Sequence, residues 1–197
     1  MFTRILAFTS LAFLSASCAT ASISTNAVEI EEEDVVSIPV EPYTPTWKCA
    51  DCAPEEQYVL AELQKNTKIS DRNALATILG NIKQESNFRA NVCEGGSRVP
   101  YDRCYSGGYG LIQWTTLGRY NGLGNFCKKY GCDPSSLEGQ TRYMINEDIF
   151  QRYLPMFEGS GLTVRQYMVP AYYWLGWGIK GNREYYSYNY SKKLVWA

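Results

Sequence analysis

There is no histidine anywhere in the 197 residues. That absence removes the Ser-His-Asp and Cys-His nucleophilic sites in their usual form, and with them the metalloproteases built on a His-Glu-x-x-His helix. Zinc has little to bind: Cys49 and Cys52 have ligand spacing, but no second Cys-x-x-Cys pair follows, so no metal is expected. A hydrolase so composed works with carboxylates, or with a rarer lysine- or tyrosine-based device. Long apolar runs are also missing. Ile5–Leu14 is a mostly apolar stretch of ten, behind Arg4 and ahead of the small-x-small site Ala19-Thr20-Ala21. This is the layout of a secretory signal peptide over 1–21, too short to span a bilayer as a helix. Cys18 offers a lipidated alternative, with Ser15 rather than an aliphatic residue three places before it. The chain shows no internal repeat.

What is present begins with cysteine. Beyond the leader stand Cys49, Cys52, Cys93, Cys104, Cys127 and Cys132. An even count in an exported chain reads as up to three disulfides, with fifteen possible connectivities. The local pairs Cys49–Cys52, Cys93–Cys104 and Cys127–Cys132 are the expected set. Charge is uneven. Nine acids and one base lie in 22–56, whereas 57–197 carries 17 bases and 11 acids, a net +6. A basic domain behind an acidic leader suits a polyanionic surface. Residues 22–53, with Pro39, Pro42 and Pro45, read as an acidic linker, and 54–197 as one folded domain.

Within that domain, Asp71–Phe88 reads as a helix. Asp71 can cap it, and Leu75, Ile78, Leu79 and Ile82 share one face. Ser86 falls near the centre of that stripe, Glu85 on its flank and Gln84 outside it. Glu85 therefore sits at the negative end of a helix, half inside the protein. Both circumstances disfavour the ionised form, the condition a general acid needs near neutral pH. A surface glutamate that merely ends a helix has the same sequence. Further helices are expected over Glu55–Lys68, Arg119–Tyr130, Leu137–Tyr153, Thr163–Trp177 and the tyrosine-rich Asn182–Trp196. Arg89–Gly108 is a long loop, and Tyr109–Trp114 a short extended or turn segment. The fold class is mainly α.

The motifs NIKQESNF (81–88), YGLIQW (109–114), GRYNGLGNFCKKYG (118–131) and LEGQTRYMINED (137–148) occur in one order. Together they resemble the phage tail lysozyme family, within the lysozyme-like superfamily of goose-type lysozymes and lytic transglycosylases. The resemblance covers about Asp71–Ile149; AYYWLGW at 171–177 fits loosely, and Cys93–Cys104 looks like an insertion. It implies a lysozyme-like helical domain with a short extended segment beside a glycan cleft. It also implies cleavage of the MurNAc–GlcNAc β-1,4 bond of peptidoglycan, with no cofactor. Glu85 becomes the expected catalytic acid. Ser86, Tyr109, Gln113 and Trp114 become the expected substrate contacts: Gln113 as an amide for N-acetyl groups, the aromatics as sugar-stacking faces.

An inverting hydrolase also needs a base carboxylate roughly 6.5–9.5 Å from the acid. Asp102 is the first candidate, ahead of Glu94 and Glu147. Without one, the substrate's 6-hydroxyl can attack and leave a 1,6-anhydro sugar. Glu138, Gln140 and Glu147 are read as packing and support. The tyrosines at 172, 173, 185, 186, 188 and 190 are candidates for a glycan-binding wall, about half of them expected in the core. The expected setting is secreted, periplasmic or cell-envelope, and a phage-encoded origin stays open. No nucleic-acid partner and no stable membrane span are expected. Two readings stay open beside the enzyme: a non-catalytic wall-binding module on the same fold, and a virion or envelope component with vestigial activity. Chitin is an alternative substrate.

Overall fold

The period of Asp71–Phe88 becomes α2 (Arg72–Ser86), and the other elements pack around it. The computed structural model describes residues 46–105 and 107–197. The expected signal peptide, Cys18 and the linker up to residue 45 lie outside the described residues. Asp71 caps α2 as expected: its Oδ1 accepts from Asn73 N at 2.7 Å and Ala74 N at 3.2 Å. Oδ2 accepts from Gly161 N at 2.7 Å, tying the helix start to a distant turn.

Leu75, Ile78, Leu79 and Ile82 are fully buried. The pattern predicted one buried face, but every residue from Ala74 to Ile82 is buried. Part of this polar burial is met within the helix. Thr77 Oγ1 donates to Asn73 O at 2.7 Å, and Asn81 Nδ2 to Thr77 O at 2.8 Å. Gly80 has no side chain to hold a neighbour off; a Cβ there would collide with the hydroxyl and backbone nitrogen of Ser187.

In chain order the elements are β1 (Trp47–Lys48), α1 (Pro54–Asn66), α2, a 3₁₀ turn (Tyr101–Arg103), α3 (Leu117–Tyr130), α4 (Leu137–Asn146), α5 (Asp148–Phe157), α6 (Val164–Leu175), α7 (Arg183–Lys193) and β2 (Val195–Trp196). This is a mainly α, lysozyme-like fold with one small sheet. α7 lies along α2 and carries Ser187 against Gly80. β1 and β2 pair antiparallel, Trp47 opposite Trp196, with ring centroids 5.2 Å apart. Gln64 of α1 holds Trp47 by both backbone groups. The chain is thus already packed at Thr46, and Cys49 and Cys52 lie in the core, inside the span expected as linker.

One expected helix, Leu137–Tyr153, is two. The chain breaks at Glu147, whose backbone is extended (ψ 132°). Its carboxylate is gripped by Arg119, Nε to Oε1 at 2.6 Å and Nη2 to Oε2 at 2.7 Å, and α5 starts in a new direction. Thr163 caps α6, and Gly131 ends α3 at positive φ. α6 stops at Leu175, with Gly176 at positive φ, short of the expected end at Trp177.

The three bridges are Cys49–Cys52, Cys93–Cys104 and Cys127–Cys132, the local set. Cys93–Cys104 closes the loop that leads into Tyr109–Trp114. Removing it with Cys93→Ser and Cys104→Ser is expected to cost roughly 2–3 kcal/mol and several degrees of Tm, with reduced activity. Equal Tm and activity in the double variant would mean that the bridge does not brace the loop.

Glu56 joins α1, α2 and α7. It is buried, yet its Oε1 accepts from Lys83 Nζ at 2.8 Å and from Tyr190 Oη at 2.6 Å, and Oε2 from Ala53 N at 3.0 Å. Burial opposes its ionisation, but these hydrogen bonds outweigh it and hold the carboxyl below the usual glutamate value. A carboxyl depressed in the folded state stabilises above its unfolded pKa and loses that contribution as pH falls through the folded value. Stability should therefore fall as pH drops below about 4.3, and Glu56→Gln should flatten that part of the acid limb. Parallel acid limbs for the two proteins in pH-dependent melts would refute this assignment.

Candidate active site

Glu85 is the next-to-last residue of α2, where the helix stops because Asn87 and Phe88 both turn into the left-handed region (φ 53° and 61°). Its Oε1 accepts from Arg183 Nη2 at 2.6 Å. The side chains are 15% and 8% exposed, so the pair is largely shielded from water. Arg183 is the first residue of α7. Each charge stands at the end of its own helix that opposes it, and at the end of the other helix that favours it. Two awkward placements become one favourable one when α7 lies against α2.

Arg183 is fixed in turn. Its Nη1 donates to the carbonyls of Ile179 (2.8 Å) and Lys180 (2.9 Å), and its guanidinium lies 4.8 Å from the Trp177 ring centroid. Glu85 Oε2 has no hydrogen-bond partner among the described residues. Gln84, expected to point outward, accepts from Asn182 N at 2.8 Å and so seats the start of α7.

Ser86 is buried, and its hydroxyl donates to Leu111 O at 2.7 Å. This bond ties the end of α2 to the Tyr109–Trp114 segment. That segment is a tight turn: Trp114 N donates to Tyr109 O at 2.9 Å, and Gln113 N to Gly110 O at 3.1 Å. Gln113 is held at φ 53°. Its Nε2 donates to Gly110 O at 2.9 Å and Val92 O at 3.3 Å, so both amide hydrogens face the protein's own carbonyls. Among the described residues its Oε1 has no partner and remains as an acceptor. Of the two-way amide expected at this position, only the accepting half is free.

Tyr109 and Trp114 are fully buried. Tyr109 Oη donates to Val99 O at 3.1 Å, and Trp114 packs against Tyr143 at 5.4 Å. Neither presents a face for a sugar, which corrects the expectation that they stack on substrate. Both are the core under the segment. Tyr109 also joins Tyr101 and Tyr120, which stack at 4.3 Å. Burial pushes the Tyr120 hydroxyl up to about 12 and the Tyr109 hydroxyl up as well, so these groups keep their protons near neutral pH.

Gln140 pins the segment from below. It is fully buried. Oε1 accepts from Leu111 N at 2.7 Å, while Nε2 donates to Ala90 O at 2.6 Å and Pro134 O at 2.7 Å. Gly110 gives it room, since a Cβ there would collide with its amide. Gln140→Leu leaves three backbone groups unpaired, two buried and Pro134 O partly so, at roughly 1–3 kcal/mol for each buried one. A Tm loss of about 6 °C or more is expected; a loss under 2 °C would mean the pin is not needed.

Among the candidates for a second carboxylate, Glu147 is committed to Arg119, and Glu94 Oε2 accepts from Gly108 N at 2.9 Å. Asp102 is exposed on the 3₁₀ turn. Arg183 is the site residue that sequence reasoning missed. The signal available was an arginine opening a helix, the mirror image of a glutamate closing one.

Among the described residues, no group of His, Cys, Asp and Glu side chains is placed to hold a metal ion, and no helix is long and apolar enough to cross a membrane. Comparison with known proteins finds one matching family, phage tail lysozyme, over residues 55–164, wider than the motif-bearing stretch. No curated protein and no solved structure matches the chain. The match takes in Glu85, the Ser86–Leu111 link, the turn that holds Gln113, and Gln140 beneath it. On that span the chain belongs to the phage tail lysozyme family, whose activity is peptidoglycan-lytic.

Proposed function

We propose that this protein is a muramidase that cleaves the MurNAc–GlcNAc β-1,4 bond with Glu85 as general acid. One observation carries the reading. Glu85 stands at the end of a buried helix with Oε2 unpartnered among the described residues, and its neighbour Ser86 is bonded to the turn that sets Gln113. Oε2 is the oxygen that protonates the leaving glycosidic oxygen. Gln113 Oε1 is placed as an acceptor, suited to the N–H of an acetamido group. In a hydrolase, Asp102 is the remaining candidate for activating water. The N-terminal stretch suits export to the cell envelope.

A second reading has a specific observation behind it. Glu94 and Glu147 are already engaged, which favours attack by the substrate's own 6-hydroxyl and a transglycosylase outcome. Mass spectrometry of the fragments released from peptidoglycan separates these readings. Reducing-end MurNAc means hydrolysis; 1,6-anhydro-MurNAc means intramolecular attack. Binding to the wall without fragments would mean a binding module on this fold.

A further inference from the structure

A line of aromatic rings leads to Glu85 from α5 and α6. Tyr153 of α5 stacks on Tyr173 of α6, centroids 5.8 Å apart and planes 18° from parallel. Tyr173 meets Tyr172 at 5.3 Å, and Tyr172 meets Trp177 at 5.4 Å, both edge to face. Trp177 carries the guanidinium of Arg183, which bonds Glu85.

Two of these rings lie outside the core, while Tyr153 and Trp177 are half-buried and pack against it. On the same helix Tyr167, Ala171 and Trp174 are fully buried, whereas Tyr172 is 47% and Tyr173 54% exposed. A helix that is aromatic on its outer side as well as its inner side leaves apolar surface in water, which marks a binding face. Among the described residues, the hydroxyls of Tyr153, Tyr172 and Tyr173 and the Trp177 indole N–H have no hydrogen-bond partner. A sugar offers both complements: an apolar ring face for stacking, and hydroxyl and acetamido groups for the phenols and the indole. Among the described residues, the tyrosines of α7 make no such line of ring contacts to Glu85; Tyr185 and Tyr186 lie instead with Lys83, Lys192 and Lys193.

We infer that Tyr153, Tyr173, Tyr172 and Trp177 form a track for an amino-sugar strand, holding the sugars on one side of the bond at Glu85. The inference rests on the reading of Glu85 as the acid. The strand is its occupant because the line ends at that carboxylate. Trp177 serves both ends, with Arg183 on its ring and Tyr172 at its edge.

The test uses the full chain with Tyr173→Ala and Tyr153→Ala, distant from Arg183 in the line, on glycan strands of graded length. On long strands KM is expected to rise about tenfold, the effect of a ~1.4 kcal/mol contact, with a much smaller change in kcat. The effect should shrink on the shortest oligosaccharide that is still cleaved. An equal loss at every length, or no loss, would overturn the track. Binding to intact sacculi by Glu85→Gln, with and without Tyr173→Ala, separates this failure from failure of the acid assignment. Weaker binding supports the track even if no glycan is ever cut, and unchanged binding refutes it. A dimer that becomes monomeric in Tyr173→Ala, with glycan binding intact, would make the face a self-interface and overturn the proposal.

Discussion

Glu85→Gln is expected to lower glycan cleavage roughly 10²–10⁴-fold while the protein still folds, the range over which a positioned general acid contributes. The amide has the carboxyl's shape, and its oxygen can still accept from Arg183. It cannot deliver a proton to the leaving oxygen. The variant also tests the pair. Removing one partner of a buried ion pair outright costs about 3–5 kcal/mol, because the other charge is stranded. Gln keeps the hydrogen bond and loses only the opposite charge, so the cost should fall below that range. Rates must therefore be compared below the variant's Tm. A folded Glu85→Gln protein that keeps more than a small fraction of the wild-type rate would mean that another group is the acid.

The second large effect is expected far from any sugar. Gly80→Ala places a Cβ against the hydroxyl and backbone nitrogen of Ser187, and 2.7 Å from its Cα. A backbone cannot rotate away as a side-chain tip can, so α7 must shift. Overpacking of this kind costs about 1–3 kcal/mol, or roughly 2–12 °C of Tm in a chain of this size. Arg183 lies one turn before Ser187 on α7, and Glu85 lies five residues after Gly80 on α2. The shift therefore draws the guanidinium off the carboxylate. Misplacement near 1 Å can lower activity about 10²-fold. Ser187→Gly in the Gly80→Ala background should restore only part of this, since the nitrogen and Cα clashes remain. Wild-type Tm and activity in Gly80→Ala would show that the spacing of the two helices is set elsewhere.

The legible parts of this protein were those fixed by neighbours in sequence. The Asp71 cap, the stripe from Leu75 to Ile82 and the placement of Ser86 follow from helical periodicity, and all three hold. The break at Glu147 was hidden because Asn146, Glu147 and Asp148 are all acceptable in a helix; Arg119, 28 residues away, decides it. Tyr109 and Trp114 were misread for a related reason. An aromatic beside a polar motif looks the same in sequence whether its ring faces a ligand or the core. Arg183 lies 98 residues from Glu85, and only the packing of α7 on α2 brings them together. The aromatic line was half visible: Tyr172 and Tyr173 stood out in the sequence, but their link to Trp177 and Tyr153 depends on how α5, α6 and the following turn meet.

The three disulfides have a consequence for how the chain comes to be oxidised. Their separations are 3, 11 and 5 residues, so each cysteine's partner is its nearest neighbour along the chain. The cost of bringing two points of an unfolded chain together rises with the logarithm of the distance between them. The native pairs are therefore the ones that short-range encounter favours before any helix has docked, and mispaired alternatives such as Cys52 with Cys93 need far larger loops. Correct bonding in this protein is therefore expected not to depend on the fold. Oxidant alone, without a reshuffling catalyst, should be enough to mature it.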